Sequence, residues 1–178
     1  MKNLYLAIVA LFTVTCALSQ STYTWTGANN GSWATPGNWS PTRNSPANND
    51  ILRFNGNNTR NITSVPSQTI GRLQIIGNTH ITLNAASSNR TLTIGNITGD
   101  DLIINASASL TIGTGTSFTL YVTNNATADI SGTLIITGGR TYATNTSGTV
   151  TTVSTSGSIE NSGTVNSTNT ARLVFNAG

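Results

Sequence analysis

The chain has 178 residues, of which 7% are charged, and a formal net charge of +3. This length is enough for one domain, and a charge so small and so scattered excludes a nucleic-acid-binding surface. Charged residues fall far below the roughly one quarter that is usual, but regularly spaced Leu, Ile and Val argue against a disordered chain.

Residues 1–19 have the pattern of a secretory signal peptide. A short basic start and an apolar run ending at Leu18 are followed by small residues before Gln20, where we expect cleavage. A lipid anchor on Cys16 is the alternative, but the residues before it lack the Leu and the Gly or Ala that this attachment usually needs. The sequence therefore predicts a secreted chain without cysteine or a membrane span after cleavage, stabilised by packing rather than by disulfides.

Residues 20–70 are predicted to form a Trp-rich N-terminal cap and a first coil. This segment contains all three tryptophans, Trp25, Trp33 and Trp39. Gly, Pro and Asn punctuate it, and no helical period appears. Short extended pieces joined by loops are the expected structure.

Residues 71–178 are predicted to form repeats. A phrase recurs in which Leu is followed two places later by Ile and then by Gly, and its leucines are Leu73, Leu92, Leu110 and Leu134. Their steps of 19, 18 and 24 residues predict a stacked repeat with a period near twenty. The apolar residues thin out beyond residue 140, so we expect the repeats to be truncated and further domains or another chain to cover this end.

Regular short strands fit two architectures, a parallel β-helix and an antiparallel β-sandwich. Alternation such as Leu92 and Ile94 against Thr91 and Thr93 puts apolar residues on one face of each strand. The strands lack consistent two-residue hairpin signals between them, and like residues recur at like positions. We therefore predict an all-β, right-handed parallel β-helix (solenoid) with a Trp-rich cap, and keep the sandwich as the alternative.

The opening segment also resembles a known module. Trp25-Thr26-Gly27, Ser32-Trp33 and the run Gly37-Asn38-Trp39-Ser40-Pro41 resemble the start of large secreted β-helix proteins of Bacteroidetes and related bacteria. These are adhesin-like or autotransporter-repeat-like surface proteins, and the resemblance covers most of the mature chain. It implies Thr/Asn/Gly-rich coils, a secreted and cell-surface location, and no catalysis.

The three tryptophans are the candidate ligand-binding residues. Aromatic faces stack on sugar rings, so Trp25, Trp33 and Trp39 would form a glycan platform. The alternative is that they close the N-terminal end of the solenoid, where an apolar core would otherwise meet water. The sequence favours this second interpretation, because the chain has few other large side chains.

No catalytic residue, cofactor or metal site is predicted. Asp100 and Asp101 resemble the paired aspartates of β-helix polygalacturonases, but the other acids and the histidine motif are missing, and neighbours in a strand face opposite ways. His80 is the only histidine, and no serine can be assigned to it. Calcium at Asp50 or at the Asp pair lacks the repeat that calcium-binding β-rolls use.

We therefore expect a secreted or cell-surface structural or adhesin-like β-solenoid that contacts a glycan, cell surface or matrix and is not an enzyme. A carbohydrate-binding or polysaccharide-acting β-helix module is the alternative. A minor alternative is an ice-binding solenoid, in which Thr91 and Thr93 would stack with Ser109 and Thr111 into one flat face.

Overall fold

The computed structural model describes residues 20–95, 97–113, 118–123 and 126–136, together with the backbone of five later strands. The predicted signal peptide, 1–19, lies outside the described residues. A single 3₁₀ turn, Pro36–Asn38, is the helical element in this part of the chain. No helix within it is long and apolar enough to cross a membrane.

The strands, numbered in chain order, fall into three sheets. Sheet A contains β3 (Trp39–Ser40), β1 (Thr22–Trp25), β4 (Ile51–Phe54), β7 (Arg72–Ile75), β10 (Leu102–Ile104), β13 (Ala128–Ile130), β16 (Thr151–Thr155) and β19 (Leu173–Ala177). Sheet B contains β2 (Gly31–Ser32), β5 (Thr59–Val65), β8 (His80–Ala85), β11 (Ser109–Ile112), β14 (Thr133–Ile136) and β17 (Ser158–Asn161). Sheet C contains β6 (Gln68–Ile70), β9 (Arg90–Ile94), β12 (Phe118–Val122), β15 (Thr141–Thr146) and β18 (Thr164–Asn169).

The sheets are mostly parallel. From β4 onward, each described strand pairs in parallel with the strand three places later, so the chain visits the three sheets in turn. We call three consecutive strands, one from each sheet, a layer. Among the described strands, only β1 and β3 pair antiparallel. An antiparallel β-sandwich therefore does not describe this chain, whereas the all-β class is confirmed.

The predicted period near twenty residues is wrong. The paired residues Leu52, Leu73, Leu102 and Ala128 show that successive layers take 21, 29 and 26 residues. The recurring Leu-x-Ile phrase marks a strand and not a layer: its four leucines lie in β7, β9, β11 and β14, which belong to sheets A, C, B and B. Every strand with one buried face needs apolar residues at alternate positions and a turn residue at its end. The phrase therefore recurs in strands of all three sheets.

The core lies between the three sheets. Alternate residues are buried in the strands from β7 to β13, as Leu92 and Ile94 are in β9, while Thr91 and Thr93 beside them are partly exposed. The predicted alternation is confirmed here, and it repeats in β7, β8, β11 and β12. Stacked aliphatic columns thus provide most of the apolar burial.

Asparagine side chains connect one layer to the next at the corners. Oδ1 of Asn29 accepts the Asn61 amide at 2.7 Å, and Oδ1 of Asn57 accepts the Asn78 amide at 2.9 Å. Asn57 has a φ of 48°, a conformation that Asn tolerates better than most residues. The abundance of Asn therefore follows from corners that turn tightly and still need an acceptor for the amide groups of the next layer.

The flat face predicted for an ice-binding role is not present in the form expected. Thr91 and Thr93 lie in β9 of sheet C, whereas Ser109 and Thr111 lie in β11 of sheet B. The two pairs cannot stack, because these two repeats of the phrase occupy different sheets. In sheet C, Thr91 pairs instead with Thr119.

Candidate functional site

Four aromatic rings form one cluster at the N-terminal end of the core. Trp25 and Trp33 both meet Trp39 edge-to-face, with ring centroids 5.0 and 5.1 Å apart. Phe54 lies 5.5 to 6.1 Å from the three indoles. Such edge-to-face pairs add stability beyond the area they bury.

Short strands and one 3₁₀ turn position these rings. Trp25 ends β1 above Phe54 of β4, and the antiparallel pairing of β1 with β3 sets Trp39 beside Trp25. The 3₁₀ turn before β3 presents the carbonyl of Asn38 to the amides of residues 26 and 27. Finally, Nε1 of Trp39 donates to the carbonyl of Trp33 at 3.0 Å.

The tryptophan rings are packed inward. Trp33 and Trp39 are 2% exposed, and Trp25 is 8% exposed. Their neighbours are one another and Phe54, so a sugar ring would stack on them only if the rings left this packing. The glycan platform predicted for the three residues therefore requires a rearranged end, whereas the cap interpretation requires none.

A buried ion pair, missed in the sequence, fastens the loop that follows β3. Nε of Arg43 donates to Oδ2 of Asp50 at 2.7 Å, with both side chains at most 3% exposed. The same carboxylate oxygen accepts the amide of Ala47 at 2.9 Å. The Arg43 guanidinium also lies 5.7 Å from the ring centre of Tyr23 and 6.0 Å from that of Trp39.

This loop, residues 41–50, reaches the edge of sheet C. β6 is the first strand of that sheet and has no strand on its N-terminal side. Nη1 of Arg43 approaches Oε1 of Gln68, in β6, at 3.5 Å. Covering an edge strand with a loop is one of the ways in which proteins prevent edge-to-edge pairing. The ion pair therefore lies at the same end of the core as the tryptophans.

One pocket, of about 110 Å³, lies beside the aromatic cluster. Trp25, Phe54 and Ile81 provide apolar walls, and Arg60 is the charged residue among those that line it. Thr26, Gly27, Asn55, Gly56, Asn58 and Thr79 complete the lining. The pocket was not predicted, because its residues come from three different layers.

Asp100 and Asp101 do not converge. Asp100 is exposed, whereas Asp101 is 1% exposed and accepts the amides of Ile97 at 3.3 Å and Thr127 at 3.1 Å. Arg72 of the layer before donates to the carbonyls of Thr98, at 2.6 Å, and Asp100. The pair therefore has the structural, strand-starting role that the sequence favoured, at the corner before β10.

Asp101 should make stability depend on pH. Burial raises the pKa of this carboxyl above its ordinary value of 3.8, although the two amide hydrogen bonds and the nearby Arg72 charge lower it. The folded chain then keeps the proton to a higher pH than the unfolded chain. The stability that Asp101 contributes is therefore present below pH 3.8 and is lost as the pH rises through the raised pKa.

The matched variant for this prediction is Asp101→Asn, which cannot titrate. All other groups are common to both proteins, so their contributions cancel in the difference. We expect urea unfolding at several pH values to show the wild type losing stability relative to the variant as the pH rises from 3.8. A difference that stays constant with pH, or that grows in favour of the wild type, would contradict the prediction.

His80 has a serine partner that sequence reasoning could not assign. Nδ1 of His80 lies 2.9 Å from Oγ of Ser109, and Nε2 lies 3.1 Å from Oδ1 of Asn78. β8 and β11 are neighbours in sheet B, and their register pairs His80 with Ser109. Residue order alone does not show this pairing, because the two residues are 29 positions apart. His80 and Ser109 do not line the pocket, and the third member of the group, Asn78, has an amide side chain rather than a carboxylate. The hydrogen bond between His80 and Ser109 therefore links adjacent layers and does not form a catalytic triad.

Within the described ranges, no group of three or more His, Cys, Asp or Glu is arranged to hold a metal ion. The carboxylate of Asp50, considered for calcium in the sequence, is occupied by Arg43 and the Ala47 amide.

Comparison with known proteins found no matching family model, no matching curated protein and no matching solved structure.

Proposed function

We propose that the chain is a right-handed parallel β-helix that serves as a secreted or cell-surface structural or adhesin-like module and has no catalytic activity. The N-terminal end would be closed by the aromatic cluster and the 41–50 loop. The rest would present Thr- and Asn-rich faces to a glycan, cell-surface or matrix partner.

Strand order supports the β-helix. A chain that visits three parallel sheets in turn, and pairs each strand with the strand three places later, stacks layer on layer. In this geometry the aliphatic columns of Leu52, Leu73 and Leu102 point to a common interior. The layers differ in length mainly at their corners, which is where insertions are best tolerated.

The observation that carries the structural role is the closed end. Four aromatic rings and a buried ion pair would close the first layers, with the Trp39 indole bonded to a backbone carbonyl and Arg43 bonded to Asp50. A sealed stack with few charges makes a rigid rod rather than a reactive cleft.

Two measurements on the producing cells and the purified protein test this function. Intact cells treated with an external protease should lose the protein, and the exported form should begin at Gln20. Beads coated with folded protein should retain cells or matrix glycans better than beads coated with heat-unfolded protein. Protection inside the cell, or equal retention by both kinds of bead, would contradict the proposal.

An enzymatic role has its own test. Incubation with a panel of polysaccharides should release no new reducing ends. Release that disappears in Asp100→Asn would overturn the non-catalytic assignment.

A further inference from the structure

The pocket beside Trp25 has an unusual cation. In sheet B, Arg60 of β5 pairs with Ile81 of β8, and Ile81 is buried. Arg60 therefore occupies a strand position at which the next layer has a buried apolar residue. β2 covers only Ile62 and Thr63 of β5, so it stops short of Arg60.

The bonding of Arg60 leaves most of its guanidinium available. Its Nη1 donates to the neighbouring Thr59 carbonyl at 3.2 Å, and no acid lines the pocket with it. A guanidinium offers five N–H donors in a planar fork that matches a carboxylate. An anion in this pocket would therefore meet a half-buried positive charge without a competing negative one.

Trp25 provides an aromatic wall beside this charge. Its side chain is 8% exposed, lines the same pocket, and keeps an indole Nε1 that is buried without a hydrogen-bond partner. By contrast, Nε1 of Trp39 donates to a backbone carbonyl. This N–H is closed off from solvent, so it is the indole ring of Trp25, and not its donor, that faces the open part of the pocket.

The remaining lining sets the size and class of the ligand. A volume of about 110 Å³ is well below that of a drug-sized site, so the pocket takes one small group. Phe54 and Ile81 form an apolar wall, while Asn55 and Thr26 at the rim offer groups that bond hydroxyls. Apolar walls, a cation and hydroxyl-binding groups together fit the carboxylate end of a sugar acid.

We propose that this pocket binds the carboxylate of an acidic sugar, with Arg60 pairing with the carboxylate and the Trp25 ring packing beside it. The site lies beyond the proposed structural role and does not depend on it. The attraction is electrostatic, and the Arg60 side chain is only half-buried. We therefore expect binding to weaken as salt is added.

The Trp25 indole N–H reports directly on the pocket. In the ¹⁵N-labelled protein, galacturonate should shift the Trp25 indole resonance in a saturable way, whereas galactose at the same concentration should not. Acetate carries the carboxylate without the sugar, and we expect it to bind at least about tenfold more weakly than galacturonate. The Trp39 indole, which already has a partner, is the internal control.

Arg60→Gln is the test variant, and Arg90→Gln is the matched control. Arg90 lies in sheet C and bonds Ser87, away from the pocket. We expect Arg60→Gln to weaken galacturonate binding at least about tenfold and Arg90→Gln to leave it unchanged. No saturable shift with galacturonate, or equal shifts in wild type and Arg60→Gln, would overturn the site. Equal binding of galactose would overturn the carboxylate role, and equal binding of acetate would overturn the sugar class.

Discussion

Replacing Arg43 by alanine is expected to lower the free energy of unfolding by about 3–5 kcal/mol. The substitution leaves the Asp50 carboxylate, which is 1% exposed, without its countercharge. It also removes the cation from the rings of Tyr23 and Trp39 and uncovers Gln68 at the edge of sheet C. Urea unfolding followed by tryptophan fluorescence measures the loss, because the indoles lie in the same end of the molecule.

The double variant Arg43→Met, Asp50→Asn separates the charge from the packing. No charge is left unpaired in it, and the new amide can still accept the Ala47 N–H, so we expect it to recover most of the lost stability. Arg90→Ala is the control, since its partner Ser87 is exposed, and should cost less than about 1 kcal/mol. An Arg43→Ala protein as stable as Arg90→Ala would show that the ion pair does not hold the loop.

Trp39→Ala is expected to cost about 3–5 kcal/mol, the range for truncating a large buried aromatic. Trp39 lies 5.0 to 5.5 Å from the ring centres of Trp25, Trp33 and Phe54, and its indole N–H bonds the Trp33 carbonyl. Its removal leaves a cavity at the N-terminal end of the core and takes the indole donor from the Trp33 carbonyl. Chemical unfolding again measures the effect, and Trp39→Phe should recover part of it.

Tyr121→Ala is the matched aromatic control. Tyr121 is partly exposed on β12, between the buried Leu120 and Val122, and its truncation should cost less than about 1 kcal/mol. The same variants decide between cap and platform. If Trp39→Ala folds with wild-type stability and loses glycan binding, the tryptophans form a ligand site and the cap interpretation is wrong.

The local structure of the chain was predictable from residue order. Alternation such as Leu92 and Ile94 against threonines is a local property, since successive side chains in a strand point to opposite faces. The all-β class and the absence of a helical period follow from the same pattern, whereas the parallel preference came from the missing two-residue hairpin signals. The inward packing of the tryptophans also agrees with the interpretation that the sequence favoured.

The layer period was not predictable from the repeated phrase. Leu73, Leu92, Leu110 and Leu134 look equivalent because every buried strand of this chain needs the same two inward positions. Which sheet each strand joins depends on corner length and on pairing across 21 to 29 residues, and neither is contained in the phrase. The mistaken ice-binding face follows from the same cause.

The strands and their buried faces were readable from residue order, because both depend on neighbours one to four places apart. The three-dimensional fold, in contrast, sets the pairing of Arg43 with Asp50, of His80 with Ser109, and the place of Arg60 in the pocket beside Trp25. These contacts join loops and layers through the register of parallel strands, and a linear chain does not specify that register until hydrogen bonding and core packing select it.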